Sequence, residues 1–114
     1  MRVGIDTRFY SSSPTGIGRY TYELCLQLLN YEDLELVLFL DKDSPLLPDE
    51  KFEKVEKLII KEKKFGLLSL FTLAKKIEDS DLDLYHSPSF IMPFVKSVKT
   101  IITIHDLIHL KMPE

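Results

Sequence analysis

Five consecutive apolar residues, Leu36-Val37-Leu38-Phe39-Leu40, leave their segment without a polar face. Side chains of a strand alternate between two faces, so a strand of this kind must be covered from both sides. That is the situation of a parallel sheet packed between helices. Parallel neighbours cannot be joined by a tight hairpin, so each pair needs a crossover segment, usually a helix.

The other segments supply what that demand requires. Arg2-Val3-Gly4-Ile5-Asp6 is a short buried-strand pattern ending in a carboxylate. Ile17, Tyr20, Leu24, Leu28 and Tyr31 recur at steps of three and four, which predicts a helix with those residues on its inner face. Residues 55–61, with Leu58, Ile59 and Ile60 flanked by lysines, read as a shorter strand near a sheet edge. Leu67, Leu70, Phe71, Ala74 and Ile77 predict a second amphipathic helix, entered through Gly66. Asp83-Leu84-Tyr85-His86 is a short strand, and the loop after it carries Pro88 and Pro93, which cannot pair in a ladder. Residues 98–105 form the last strand, β-branched at Ile101, Ile102, Thr103 and Ile104. Residues 36–40 and 101–104 are expected to be central strands buried on both faces. Strands alternating with helices predict an α/β fold, an open and mostly parallel sheet with flanking helices. Residues 1–114 make one domain, and the chain stops just after a strand with no closing helix, as if cut from something larger.

Composition excludes several classes. With 45% hydrophobic and 29% charged residues the chain is neither disordered nor fibrous. A net charge of −3 lacks the basic surplus of a nucleic-acid binder, and the lysines over residues 51–64 alternate with Glu53, Glu56 and Glu62 as on a solvated face. The single cysteine, Cys25, has no partner for a disulfide and no spacing for a metal or redox pair, which fits the cytoplasm. Asp6 and Arg8 interrupt any signal-peptide core, and no apolar run approaches the roughly 20 residues of a membrane-spanning helix.

Between the first strand and first helix lies Ser13-Pro14-Thr15-Gly16-Ile17-Gly18-Arg19-Tyr20. Thr15 is placed to cap the helix, and Gly16 and Gly18 fall in its first turn, where backbone amides have no partner within the helix. Glycines there admit close approach of an anion, the helix dipole favours it, and Arg19 adds a guanidinium that can fork onto phosphate. The same glycines would also serve a tight helix entry against the sheet. The pattern is half of the dinucleotide fingerprint, since Thr21 occupies the third glycine position and the loop from Asp6 to Gly16 exceeds the tight turn of that motif.

In a doubly wound sheet ligands bind beyond the carboxyl ends of the strands. That edge collects the loop from Asp6 to Gly18, Asp41 after the second strand, His86-Ser87-Pro88 and His105-Asp106. His105 suits acid–base work or a hydrogen bond to a sugar hydroxyl or phosphate, or else is a satisfied strand-end histidine. Asp106 either orients His105 or caps the segment after it. His105 and His109 stand four apart, but the strand reading of residues 103–104 argues against a shared metal. Asp41, 23 residues beyond Gly18, stands near where an acid would hold a nicotinamide-cofactor ribose, and equally where a turn needs a cap.

Thr15-Gly16-Ile17-Gly18-Arg19-Tyr20-Thr21-Tyr22-Glu23-Leu24 resembles the glycine loop and first helix of family 4 glycosyltransferases of the GT-B fold. Asp83-Leu84-Tyr85-His86-Ser87-Pro88 and Thr100-Ile101-Ile102-Thr103-Ile104-His105-Asp106-Leu107-Ile108 resemble later blocks of the same N-terminal domain, in the same order. The resemblance implies a Rossmann-like sheet forming part of the N-terminal, acceptor-side half of such an enzyme. It implies retaining transfer of a sugar from a nucleotide-sugar donor to a glycan or lipid-linked acceptor, without a metal or other cofactor. Gly16, Ile17, Gly18 and Arg19 would bind the donor phosphates, His105 would be catalytic, and His86, Ser87 and Asp106 would contact substrate. The C-terminal, donor-binding domain of the family is missing from these 114 residues, so this chain by itself is expected to be inactive. Lipid-linked acceptors leave peripheral membrane association open. The rival readings are a nucleotide-binding oxidoreductase domain using Asp41 and a non-catalytic α/β interaction module.

Overall fold

The computed structural model describes residues 1–8, 10, 16–60, 67–88 and 98–102, with the first four residues of the second helix given by backbone alone. The elements are β1 (Arg2–Asp6), α1 (Gly16–Leu28), β2 (Glu35–Leu40), β3 (Glu56–Ile59), α2 (Leu67–Asp79), β4 (Leu84–Ser87) and β5 (Lys99–Ile102). The five strands form one parallel, open sheet in the order β3-β2-β1-β4-β5. This is the Rossmann-like α/β architecture, doubly wound, with β1 at its centre and the order reversing between β1 and β4.

The apolar run of β2 is buried throughout, from Leu36 to Leu40. Its alternate side chains serve two cores. Leu36, Leu38 and Leu40 join Val3, Ile5 and Cys25 under α1, while Val37 and Phe39 join Leu73, Ile77, Leu82 and Tyr85 under α2. Gly4 is the point of closest approach in the second core: a Cβ there would lie 2.5 Å from Leu82 Cδ1 and 2.8 Å from Phe39 Cε1. The missing side chain lets the Phe39 and Tyr85 rings meet edge to face across β1, with centroids 5.3 Å apart.

The inner faces follow the expectation in part: Leu24 and Leu28 pack against the first core and Ala74 and Ile77 are buried, but Tyr20, Tyr31 and Phe71 are exposed. In α1 the buried positions are Gly18, Thr21 and Cys25, while Tyr20 is 37% exposed and Tyr31 lies beyond the helix at 60%. Small residues let the helix approach the sheet closely, and the bulky tyrosines, each with a hydroxyl to keep wet, go outward. In α2 the buried face is Leu73, Ala74 and Ile77, with Phe71 exposed. Residues 50–52 form a 3₁₀ turn (Glu50–Phe52) capped by Asp49, whose carboxylate accepts from the Lys51 amide at 3.0 Å. This turn seats Phe52 in the first core. The chain leaves α2 through Asp81 at φ 54°, a left-handed position that aspartate tolerates.

One expectation fails at the far edge. β5 is not a central strand buried on both faces: among the described residues it pairs only with β4, and Ile101 is 46% exposed. Ile101 lies opposite His86, on the face that α1 leaves uncovered there. An apolar, β-branched strand has the same sequence whether or not a helix covers it. β3 is the opposite edge, as its lysines suggest.

Candidate functional site at the carboxyl edge of the sheet

Because every strand runs the same way, the carboxyl ends of β1, β2 and β4 lie along one edge, and the start of α1 follows β1 there. Asp6, Thr7 and Arg8 leave β1 fully buried. The two Asp6 carboxylate oxygens accept three hydrogen bonds from Arg8: from the backbone amide at 3.0 Å, from Nε at 2.9 Å and from Nη2 at 2.8 Å. Thr7 gives both its amide and its hydroxyl to the Phe39 carbonyl, at 2.7 and 2.9 Å. The loop therefore leaves the central strand by a fixed route.

Burial works against the Arg8 charge, but the hydrogen bonds and charge of Asp6, with Asp41 further off, outweigh it and hold the guanidinium pKa above its ordinary value. Below the pair stands Tyr85, wholly buried, whose hydroxyl finds no partner within hydrogen-bonding distance among the described residues. Burial first, and then the Asp6 charge, push its phenol well above the ordinary range, so it stays neutral. Arg8, Asp6 and Tyr85 were not singled out as site residues from the sequence. The available signal was Asp-x-Arg at a strand end, two residues that share one side of the chain.

Of the residues proposed for phosphate binding, Gly16 and Arg19 are exposed, Ile17 is half-buried and Gly18 is buried. A Cβ at Gly16 would meet nothing within 4 Å, so packing on the sheet does not require glycine there. The first turn of α1 carries no acidic residue and holds Arg19 instead, a cation at the helix end that favours anions. His86 lies in β4 beside Ile5 of β1, and the Tyr20 ring meets it edge-on at 6.4 Å. Burial lowers the His86 pKa, favouring the neutral imidazole. The start of α1 and the end of β4 are thus brought together where the strand order reverses. Ser87 ends β4 and is buried, and Asp41 follows β2, half-buried. Thr15, His105, Asp106 and His109 lie outside the described residues.

Among the described residues no three His, Cys, Asp or Glu side chains converge to hold a metal, and no helix is long and apolar enough to cross a membrane. No family model, no curated protein and no solved structure matches this chain.

Proposed function

We propose that the chain is the N-terminal, acceptor-side part of a retaining glycosyltransferase, which moves a sugar from a nucleotide-sugar donor to a saccharide or lipid-linked acceptor. The observation that carries this reading is the junction of α1 and β4: Gly16, Gly18 and Arg19 open a helix beside His86, at the reversal of strand order where doubly wound sheets take ligands. A helix N-terminus, a glycine that packing does not require and an added guanidinium suit a diphosphate. The ordered sequence blocks that resemble family 4 enzymes support the same reading. On it, Gly16, Ile17, Gly18 and Arg19 face the donor phosphates, His86 and Ser87 line the substrate side, and His105 and Asp106 complete the catalytic end.

Asp41 favours a second reading. It follows β2 directly, where a dinucleotide-binding domain keeps the acid that holds a ribose. Against it stands the long loop between Asp6 and Gly16, which replaces the tight glycine turn of such domains.

Amide chemical shifts of the 114-residue chain, titrated with uridine- and guanosine-diphosphate sugars and with NADH, test both readings. Millimolar binding that moves Gly16, Gly18, Arg19 and His86 with a nucleotide sugar is the expected result. Shifts at Asp41 with NADH, and none with any nucleotide sugar, would replace the first reading by the second.

A further inference from the structure

The carboxyl ends of β1, β2 and β4 are all referred to one enclosed cation. Asp6 closes β1, and its side chain and that of Arg8 are 2% and 1% exposed. Arg8 lays Nε and Nη2 on the two Asp6 oxygens at 2.9 and 2.8 Å, a fork that admits one orientation. Its backbone amide reaches the same carboxylate at 3.0 Å, so residue 8 is held by main chain and side chain together. Thr7, between the two, is tied to the Phe39 carbonyl of β2. Asp41, directly after β2, and Tyr85 of β4 also act on the Arg8 charge. β1 is the shared neighbour of β2 and β4, and the strand order reverses between β1 and β4.

Net stability does not account for such a pair, because a buried ion pair gains little over apolar residues of the same volume. What apolar side chains cannot supply is direction. A planar guanidinium on two carboxylate oxygens sets both distance and angle, whereas apolar side chains repack in several ways. The fork therefore fixes how the chain leaves the central strand and where the neighbouring strand ends stand. Gly16, Arg19, Tyr20 and His86 gather at that same edge, where a binding constellation needs its groups held to within about 0.5 Å.

We propose that Asp6 and Arg8 are a positioning pair: too enclosed to touch a ligand themselves, they hold the carboxyl ends of β1, β2 and β4 so that the start of α1 and His86 meet one ligand together. That the ligand is a nucleotide sugar rests on the sugar-transfer reading, whereas the positioning does not.

The test removes both charges at once. Asp6→Asn combined with Arg8→Met keeps an oxygen for the amide of residue 8 and strands neither charge. The urea midpoint of this double variant should equal or exceed that of the parent. The Tyr20–His86 ring contact, read as a nuclear Overhauser effect in the ligand-free chain, should nevertheless weaken. The affinity for uridine- or guanosine-diphosphate sugars should fall about tenfold, read from amide shifts at Gly16 and Gly18. Arg8→Lys keeps the charge and loses the fork, so it should show both losses in part; it decides the matter if the double variant does not fold. An unchanged ring contact in a folded variant overturns the proposal, as does a nucleotide-sugar affinity equal to the parent's. A loss of affinity in the double variant that only follows a fall in its urea midpoint overturns it too, since a purely structural pair would give that. A parent chain that binds no nucleotide sugar removes the transferase reading and leaves the pair to be decided by the ring contact.

Discussion

β1 carries an arginine near each end, and the two are held in opposite ways. Arg2, at the amino end, reaches Glu35 and Glu56 through Nη1, with the carboxylate side chains 60% and 45% exposed. It also donates to the Ser80 carbonyl at 2.9 Å, clamping β2, β3 and the turn after α2 around the first strand. Arg8, at the carboxyl end, forks onto Asp6 with both side chains almost wholly enclosed, at 1% and 2% exposure. Surface ion pairs of the first kind contribute about 0–1 kcal/mol. A buried pair gains little over apolar residues of the same volume, yet losing one partner strands the other charge. The amino end is thus an adjustable clasp, and the carboxyl end a fixed floor beneath the candidate site.

The sharpest way to break this comparison is Asp6→Ala. Leaving Arg8 buried and unpaired should cost about 3–5 kcal/mol, read as a large fall in the urea midpoint. Cys25 gives an independent readout: burial pushes its thiol up to about 12, so it should label only on opening, and labelling should accelerate in the variant. A loss below 1 kcal/mol would mean that the two ends of β1 are alike.

Gly4 tests the middle of the same strand. Gly4→Ala places a methyl against Leu82 and Phe39 and should cost about 1–3 kcal/mol of overpacking in thermal unfolding. Gly16→Ala, at the carboxyl end and in open space, should instead hold or raise stability by about 0.4–1 kcal/mol. Its nucleotide-sugar shifts should nevertheless weaken, and unchanged binding would remove Gly16 from the phosphate site. Glu35→Gln and Glu56→Gln, at the amino end, should each cost less than about 1 kcal/mol, an effect that fades with added salt.

The smallest effect concerns His86. Its folded pKa lies below the ordinary 6.5, so the unfolded chain takes the proton first as pH falls. The stability contributed by neutral His86 is present above about pH 6.5 and is lost as pH falls from there towards the lowered folded value. Urea midpoints measured across this window should fall less steeply in His86→Gln. Parallel curves would show that the histidine is not held neutral by the fold.

The sequence by itself determined the parallel sheet, because five apolar residues in β2 admit no other environment, and strand–helix alternation then supplied the crossovers. It also put the polar strand ends on one edge, since parallel strands share a direction. It determined the inner faces of the helices only in part: Leu24, Leu28, Ala74 and Ile77 pack as their spacing predicts, but Thr21 and Cys25 pack because they are small, whereas Tyr20 and Phe71 carry more hydrophobic weight and point out. It could not tell β5 from β2, because Ile101 reads as core and only the placement of α1 leaves it bare. The buried Asp6–Arg8 fork escaped notice for the same reason. Charged residues two apart at a strand end are ordinary on a surface, and only the packing of β2, β4 and α2 around β1 withdraws water from them. Periodicity and polarity are local and survive in the sequence, while burial depends on what the rest of the chain brings alongside.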